Sequence, residues 1–344
     1  MTKTTFRVVI FGAGSIGCYL GGRLLSAGVD VIMVGRPGMR EVLQANPLVV
    51  TDYEGFSFRS QLAENRYVTS AEAAREADLV LVTVKSAATS EAGKQLAPWV
   101  PAGIPVVSLQ NGISNASHLQ EAMPEANVLA GMVPFNVLQQ QPGHFHQGTE
   151  GHLMAEQHPS FDPALPWFDK AGLPLEPRSD IESVMWSKLL LNLNNPVNAL
   201  SGVPLLDELS QRDFRRCLAL AQRETLQLLK TAGIPTVKLT GLPMNLIPPL
   251  MSTPDWLFTR LAKQMLTIDP VARSSMWEDL QAGRPTEIDW INGEVVKLAE
   301  RLGKDAPVNR KLVELMHERE NQPRTWNAGE LLTALQGSRA GSIT

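Results

Sequence analysis

The sequence predicts an α/β domain built on a doubly wound sheet, followed by an all-α C-terminal domain. Three observations predict it. The first half alternates short apolar runs with helical stretches, which implies right-handed βαβ units. The earliest apolar run ends in a glycine-rich turn that opens a helix. From about residue 181 the strand pattern gives way to long runs with helical spacing.

The elements follow in order. Residues 6–11 form a short apolar run, the pattern of a buried parallel strand. Residues 15–27 read as a helix ended by Gly28. Residues 31–34 are a second strand, and residues 48–60 alternate around Glu54-Gly55 as a hairpin. A short helix over 71–77 precedes strands at 79–84, 105–109 and 127–133. Residues 136–157 are rich in Gln, His and Gly with short alternating runs, which suggests antiparallel strands. Helices are predicted at 181–193, 214–232, 256–268, 272–282 and 288–302. Five prolines between 233 and 256 point to a bent connection. The domain boundary falls near 180, giving domains 1–180 and 181–330 and a tail 331–344, whose last six residues read as disordered.

Composition narrows the function classes. The 344 residues are 44% hydrophobic and 19% charged, with a net charge of −4. That length allows two domains with a core each. Acids and bases are interspersed, so there is no basic field to track a phosphate backbone, which argues against nucleic acid. Cys18 and Cys217 lie far apart with no metal-ligand spacing, and no metal site is expected. Two lone cysteines fit a reducing cytoplasm. The N-terminal apolar run is too short for a signal peptide, and nothing approaches the ~18 apolar residues of a membrane span. His144, His146, His152 and His158 read as surface residues of the antiparallel segment.

Gly12, Gly14 and Gly17 form G-A-G-S-I-G directly after the first strand. The first glycine permits the tight turn, the second a close approach to a pyrophosphate, and the third close helix–strand packing. Ser15 and Ile16 open the helix whose N-terminus then faces the phosphates. A strand-to-helix turn that binds nothing is the bland alternative, but strand, turn and helix agree here on a Rossmann-type dinucleotide site. The second strand ends at Arg36 with no acid beside it, whereas NAD sites hold the ribose 2′-OH with Asp or Glu about 20 residues on. An arginine there pairs with a 2′-phosphate, which favours NADPH, and Arg40 lies nearby. A solvated loop arginine is the alternative. Lys85 and Asn111 end the third and fourth strands, on the crevice side of such a sheet. A lysine closing a strand and an Asn-Gly turn are their plainer readings.

In the helical half, Lys188 is one charge in the apolar run M-W-S-K-L-L-L-N-L. Asn192 at i+4 and Asn195 at i+7 share its face on a continuous helix, as the wall of a polar pocket would. A lysine in a water-poor cleft can stabilise an alkoxide and give it a proton. A snorkelling lysine with helix-ending asparagines before Pro196 is the alternative. Glu287 precedes the apolar face of a helix, where an acid favours the dipole, and is also placed to pair with Lys188 or hold a hydroxyl. Asp289 is assigned to solvent.

These pieces together resemble the ketopantoate reductase family over residues 6–320. The matching blocks are G-A-G-S-I-G at 12–17, T-V-K at 83–85, Q-N-G at 110–112 and W-S-K-L-L-L-N at 186–192. N-P at 195–196, S-S-M at 274–276 and P-T-E-I-D-W-I-N-G at 285–293 continue the series. The resemblance implies a Rossmann domain, an all-helical domain and an active site in the cleft between them. It implies NADPH as hydride donor and a small 2-keto acid, most directly 2-dehydropantoate on the route to pantothenate, as acceptor. Lys188 matches the family's catalytic lysine and Glu287 the glutamate that holds the substrate hydroxyl. Asn111 matches an active-site asparagine, Asn192 and Ser275 match substrate positions, and Arg36 and Lys85 match cofactor contacts. The N-P pair comes one residue early, so Asn195 or Asn194 takes the second asparagine role. Ala272 and Leu205 stand where the family has asparagines, which leaves the identity of the keto acid open. The alternatives are a β-hydroxyacid-type dehydrogenase with another substrate and a non-catalytic NADPH-binding regulatory protein. A monomer or homodimer fits either.

Overall fold

In the computed structural model, which describes residues 6–262 and 271–340, the first apolar run forms β1 (Arg7–Phe11) and the glycine turn leads into α1 (Ser15–Ser26). β2 (Asp30–Val34), α2 (Pro37–Ala45) and the hairpin β3 (Leu48–Asp52) and β4 (Ser57–Ser60) follow. Next come β5 (Tyr67–Val68), β6 (Leu79–Val82), α3 (Thr89–Leu96), β7 (Pro105–Ser108), α4 (Asn115–Ala122) and β8 (Asn127–Met132). β9 (Val137–Gln141), β10 (His144–Gln147), β11 (Leu153–Glu156), α5 (Leu165–Lys170) and β12 (Leu175–Arg178) complete this half. The stretch 71–76 is a 3₁₀ helix.

Eight strands join in the order β12-β11-β8-β7-β6-β1-β2-β5. From β5 to β8 every pairing is parallel; β11 runs antiparallel to β8. The order reverses beside β1, which makes the ends of β1 and β6 the switch point where such sheets bind ligands. Side chains alternate between two cores, as period 2 requires. Val8, Ile10, Leu79, Leu81 and Val107 join one core; Val9, Phe11, Val80, Val82 and Val106 join the other. Each such burial contributes roughly 1.5–3 kcal/mol. That double burial explains why these strands read as unbroken apolar runs.

A second sheet, β4-β3-β10-β9, flanks α1. β9 and β10 are antiparallel, as the alternation in 136–157 suggests, but β10 also pairs parallel with β3. Arg23 of α1 ties the two sheets together. Its guanidinium meets Asp52 at 2.7 Å, donates to the carbonyls of Ala171 and Gly172, and lies over Phe56. Asp52 uses its other oxygen to accept from the backbone N–H groups of Glu54 and Phe56 in the hairpin turn.

The chain divides into two units, Met1–Ile181 and Glu182–Thr344. The second is helical among its described residues: α6 (Ile181–Asn192), α7 (Asn194–Ser201), α8 (Leu205–Ser210) and α9 (Arg212–Ala232) come first. α10 (Ile247–Met251) lies in the proline-rich connection and α11 (Asp255–Leu261) begins at its end, where the helix over 256–268 is predicted, followed by α12 (Ser275–Gln281), α13 (Ile288–Arg301), α14 (Pro307–Asn321) and α15 (Ala328–Ala340). α9 is the hub and packs against α10, α15, α14, α8, α13 and α7. It ends at Gly233, whose φ of +71 is the left-handed stop that glycine favours.

Two expectations change here. The helix predicted over 181–193 does not continue to Asn195: α6 ends at Asn192 and α7 begins at Asn194. Pro196 has no N–H to give the carbonyl of Asn192 and its ring would collide with it, so the helix breaks there. The segment from 331, read as a tail, is the body of α15, with Leu331, Leu332 and Leu335 buried. Residues 341–344 lie outside the described residues, as do 263–268 of the helix predicted over 256–268.

Candidate active site

In the first unit the predicted residues gather at the C-terminal ends of β1, β2, β6 and β7. Gly12 has φ +112, and a Cβ there would collide with the backbone of Thr83 and Val84. A Cβ on Gly17 would sit 2.6 Å from the carbonyl oxygen of Gly12 and 2.8 Å from Oγ1 of Thr83. Thr83 Oγ1 in turn donates to that carbonyl at 2.8 Å, fastening the turn to β6. Gly14 differs: it is exposed and the space a Cβ would take is open. Gly12 and Gly17 are therefore glycines for packing, and Gly14 is one for a visitor. Ser15 and Ile16 open α1, whose first turn has no acid and whose Gly14 cap offers no side chain. An uncapped, acid-free helix start at a switch point suits a pyrophosphate.

Arg36 lies just beyond β2, exposed, at the N-cap of α2. Arg40 is one turn on, and its Nε is buried with no hydrogen-bond partner among the described residues. A buried guanidinium nitrogen short of an acceptor beside an exposed arginine fits an anionic group such as a 2′-phosphate. Lys85 is exposed after β6. Asn111 follows β7, held by its backbone: its carbonyl accepts from Ser86 Oγ at 2.9 Å and from Asn115 Nδ2. Gln110 braces the same loop, donating to Val84 O and Thr89 Oγ1 and accepting from Ser108 Oγ. Asn111-Gly112 is thus a turn, with Gly112 at φ +96, and also part of the crevice edge.

In the second unit Lys188 and Asn192 lie one turn apart on α6, both half-buried. Burial lowers the Lys188 pKa to about 8, opposed by the negative charge of Glu287. Glu287 is 7% exposed at the N-cap position of α13, yet its side chain makes no capping bond. The carboxylate makes no capping bond, and an acid at this position still favours the α13 dipole. Thr286 beside it is anchored: its N–H and Oγ1 both donate to Glu320, at 2.9 and 2.7 Å. His317 sits between Glu320 and Asp289, so Asp289 is paired rather than merely solvated. Nothing in the spacing of the sequence marks Glu320 or His317 as the support for Glu287.

Asn194 and Asn195 open α7 and have different duties. The Asn194 side chain hydrogen-bonds the buried carboxyl of Glu208. The Asn195 carbonyl accepts from Ser274 Oγ at 3.3 Å. Ser274 also caps α12 through Trp277 N, and Ser275, the next residue, is exposed. The carbonyl of Ala272 accepts from the backbone N–H of Leu205. The histidines at 144 and 146 are half-buried on one face of β10, where His144 Nε2 and His146 Nδ1 each meet Thr51 Oγ1.

A family model described as ketopantoate reductase PanE/ApbA matches residues 8–160, and its C-terminal counterpart matches residues 180–320. The chain belongs to the ketopantoate reductase family. A 2-dehydropantoate 2-reductase of Archaeoglobus fulgidus is 28% identical over 90% of this chain and 96% of its own. The PanE/ApbA family ketopantoate reductase of Ralstonia eutropha has a solved structure that superposes with a TM-score of 0.79 at 28% identity, covering 92% of this chain and 99% of that one. D-mandelate dehydrogenase, solved with NADH and anilino(oxo)acetate, shares the fold at a TM-score of 0.74 and 18% identity, covering 92% and 99%. The family is one of oxidoreductases, and its fold of a Rossmann-type sheet and a helical second half is the fold of this chain.

Proposed function

We propose that the protein reduces a small 2-keto acid to the 2-hydroxy acid with NADPH, and that 2-dehydropantoate is the first substrate to test. The observation that carries this reading is the electrostatic coupling of Lys188 to Glu287, a lysine brought by burial to a pKa of about 8 within the field of a buried carboxylate. Membership of the family and the A. fulgidus relative support the substrate class.

The nucleotide would be held by Gly12, Gly14, Ser15, Ile16 and Gly17 at its pyrophosphate, by Arg36 at the 2′-phosphate and by Lys85 and Asn111 farther along. When bound it supplies the hydride. The chain's own task is to receive the charge that forms on the carbonyl oxygen as the carbonyl carbon is reduced. The Lys188 ammonium attracts that oxygen as charge develops and then gives it a proton. A pKa near 8 leaves the lysine protonated at neutral pH yet a far better acid than an ordinary lysine. Glu287 would accept a hydrogen bond from a substrate hydroxyl while keeping Lys188 charged. Asn192, Asn195, Asn111 and Ser275 would orient the acid group and chain of the substrate. Asn195 is preferred over Asn194 for this, because Asn194 is engaged with Glu208.

The test is loss of reduced-nicotinamide absorbance with NADPH and a panel of 2-keto acids that includes 2-dehydropantoate. Turnover with 2-dehydropantoate supports the full reading. Turnover only with another keto acid moves the assignment toward the mandelate-type relatives and keeps the Lys188 chemistry. NADPH binding without turnover on any keto acid would leave a regulatory nucleotide-binding protein.

A further inference from the structure

Behind the candidate substrate residues lies a carboxyl group that this chemistry does not use. Glu208 of α8 is 0% exposed. Its Oε2 accepts from Asn198 Nδ2 at 2.7 Å, and the Asn194 side chain also hydrogen-bonds the carboxyl. Among the described residues no lysine or arginine pairs with it. Its Oε1 has no hydrogen-bond partner among them, and neither does Oδ1 of Asn194. Both are acceptor atoms in a pocket that is short of donors. An ionised carboxylate only accepts, so it would leave this shortage in place and bury an unpaired charge as well. A protonated carboxyl adds one O–H, the donor the pocket lacks.

Glu208 also has a line to the site. Asn198 donates to Glu208 and to Val203 O, while its Oδ1 accepts from the backbone N–H of Ser274 at 2.9 Å. Ser274 Oγ reaches the Asn195 carbonyl and caps α12 at the residue before Ser275. One chain of hydrogen bonds therefore sets α7, α8 and the start of α12 against each other.

We propose that Glu208 is held as the neutral carboxylic acid and is a positioning residue, which through Asn194 and Asn198 fixes Asn195 and Ser275 for the substrate. The positioning half rests on the reading of those two residues as substrate contacts. Burial pushes the carboxyl up to about 8, so it keeps its proton at neutral pH. The neighbours on α9 are Cys217, a thiol that burial pushes up and that carries no charge at neutral pH, and Arg215, whose guanidinium is spent on the carbonyls of Leu209, Met251 and Thr253 and on Asp255. Neither pairs with the acid.

Two substitutions and one spectrum test this. Gln at 208 keeps a neutral donor and acceptor; Leu keeps volume and neither. E208Q is expected to hold kcat/KM within about threefold, and E208L to raise KM about tenfold or more, the size of one or two buried hydrogen bonds, with NADPH affinity unchanged. The infrared difference spectrum of wild type minus E208Q at neutral pH should show a carboxylic-acid C=O band. A difference spectrum with carboxylate bands only, or an E208Q as impaired as E208L, overturns the neutral acid. An unchanged KM in folded E208L overturns the positioning role. Should E208L fail to fold, the spectrum and the E208Q kinetics still decide. Failure of the keto-acid reading looks different, because then the unsubstituted protein itself turns over nothing.

Discussion

Glu287 opposes what burial does to Lys188: burial strips the proton from the lysine, and the Glu287 charge holds it there. The balance near pH 8 predicts two opposite trends in one window. Reduction needs the protonated lysine, so kcat/KM should be flat at neutral pH and fall above about 8. Stability should do the reverse. The unfolded lysine keeps its proton up to its ordinary value of 10.5, while the folded one releases it near 8, so between them the unfolded chain binds more protons and stability rises with pH. A pH–rate profile alongside thermal melts checks both. A rate that stays level past the ordinary lysine range would remove Lys188 as the proton donor, and Lys188→Ala should cost about 10²–10⁴ in kcat.

Glu287→Gln removes the one influence that raises the Lys188 pKa. The alkaline limb of the same profile should therefore move to lower pH. KM for a hydroxylated keto acid should rise as well, because an amide is a weaker acceptor than a carboxylate. A limb that stays in place would mean that the two charges do not communicate in solution.

Much of this arrangement is legible in the sequence, for a physical reason. Gly12 and Gly17 are required by contacts within one strand-turn-helix unit, and a local requirement leaves a local pattern. The buried strands announce themselves because both faces are apolar. The parallel pairing of β10 with β3 leaves no such mark, since the partners are almost a hundred residues apart in the chain. The same holds for Glu320 and His317 behind Glu287, and for Glu208 behind Asn195. Each is an ordinary polar residue whose meaning comes only from what folds against it. α15 was hidden for a different reason. Gly329 and Gly337 dilute its helical signal, and only the three buried leucines, packed on α9 and α14, hold it.

Arg36→Ala tests the nucleotide preference. Loss of a charge-assisted pair with a 2′-phosphate should weaken NADPH by about 10- to 100-fold and leave NADH nearly as before. Arg40→Ala should act in the same direction if its buried Nε is completed by the same anion. Binding titrations with both nucleotides read this directly. Equal weakening of NADPH and NADH would take the 2′-phosphate away from Arg36.

The last prediction concerns the frame that holds the nucleotide-binding edge in place. Arg23 and Asp52 are each about 8% exposed at the side chain, and Arg23 also supplies donors to Ala171 O, Gly172 O and Tyr19 Oη. Arg23→Ala leaves Asp52 buried without its partner and strands two carbonyls. Such a loss should lower unfolding free energy by about 3–5 kcal/mol. Asp52→Asn is milder in charge but still damaging, because it leaves the guanidinium uncompensated. Neither residue lies on the nucleotide-binding edge, so the folded fraction of each variant should bind NADPH at near wild-type affinity. Denaturant melts and nucleotide titrations separate the two effects. A large loss of NADPH affinity without loss of stability would show that this bridge shapes the binding edge rather than simply joining the two sheets.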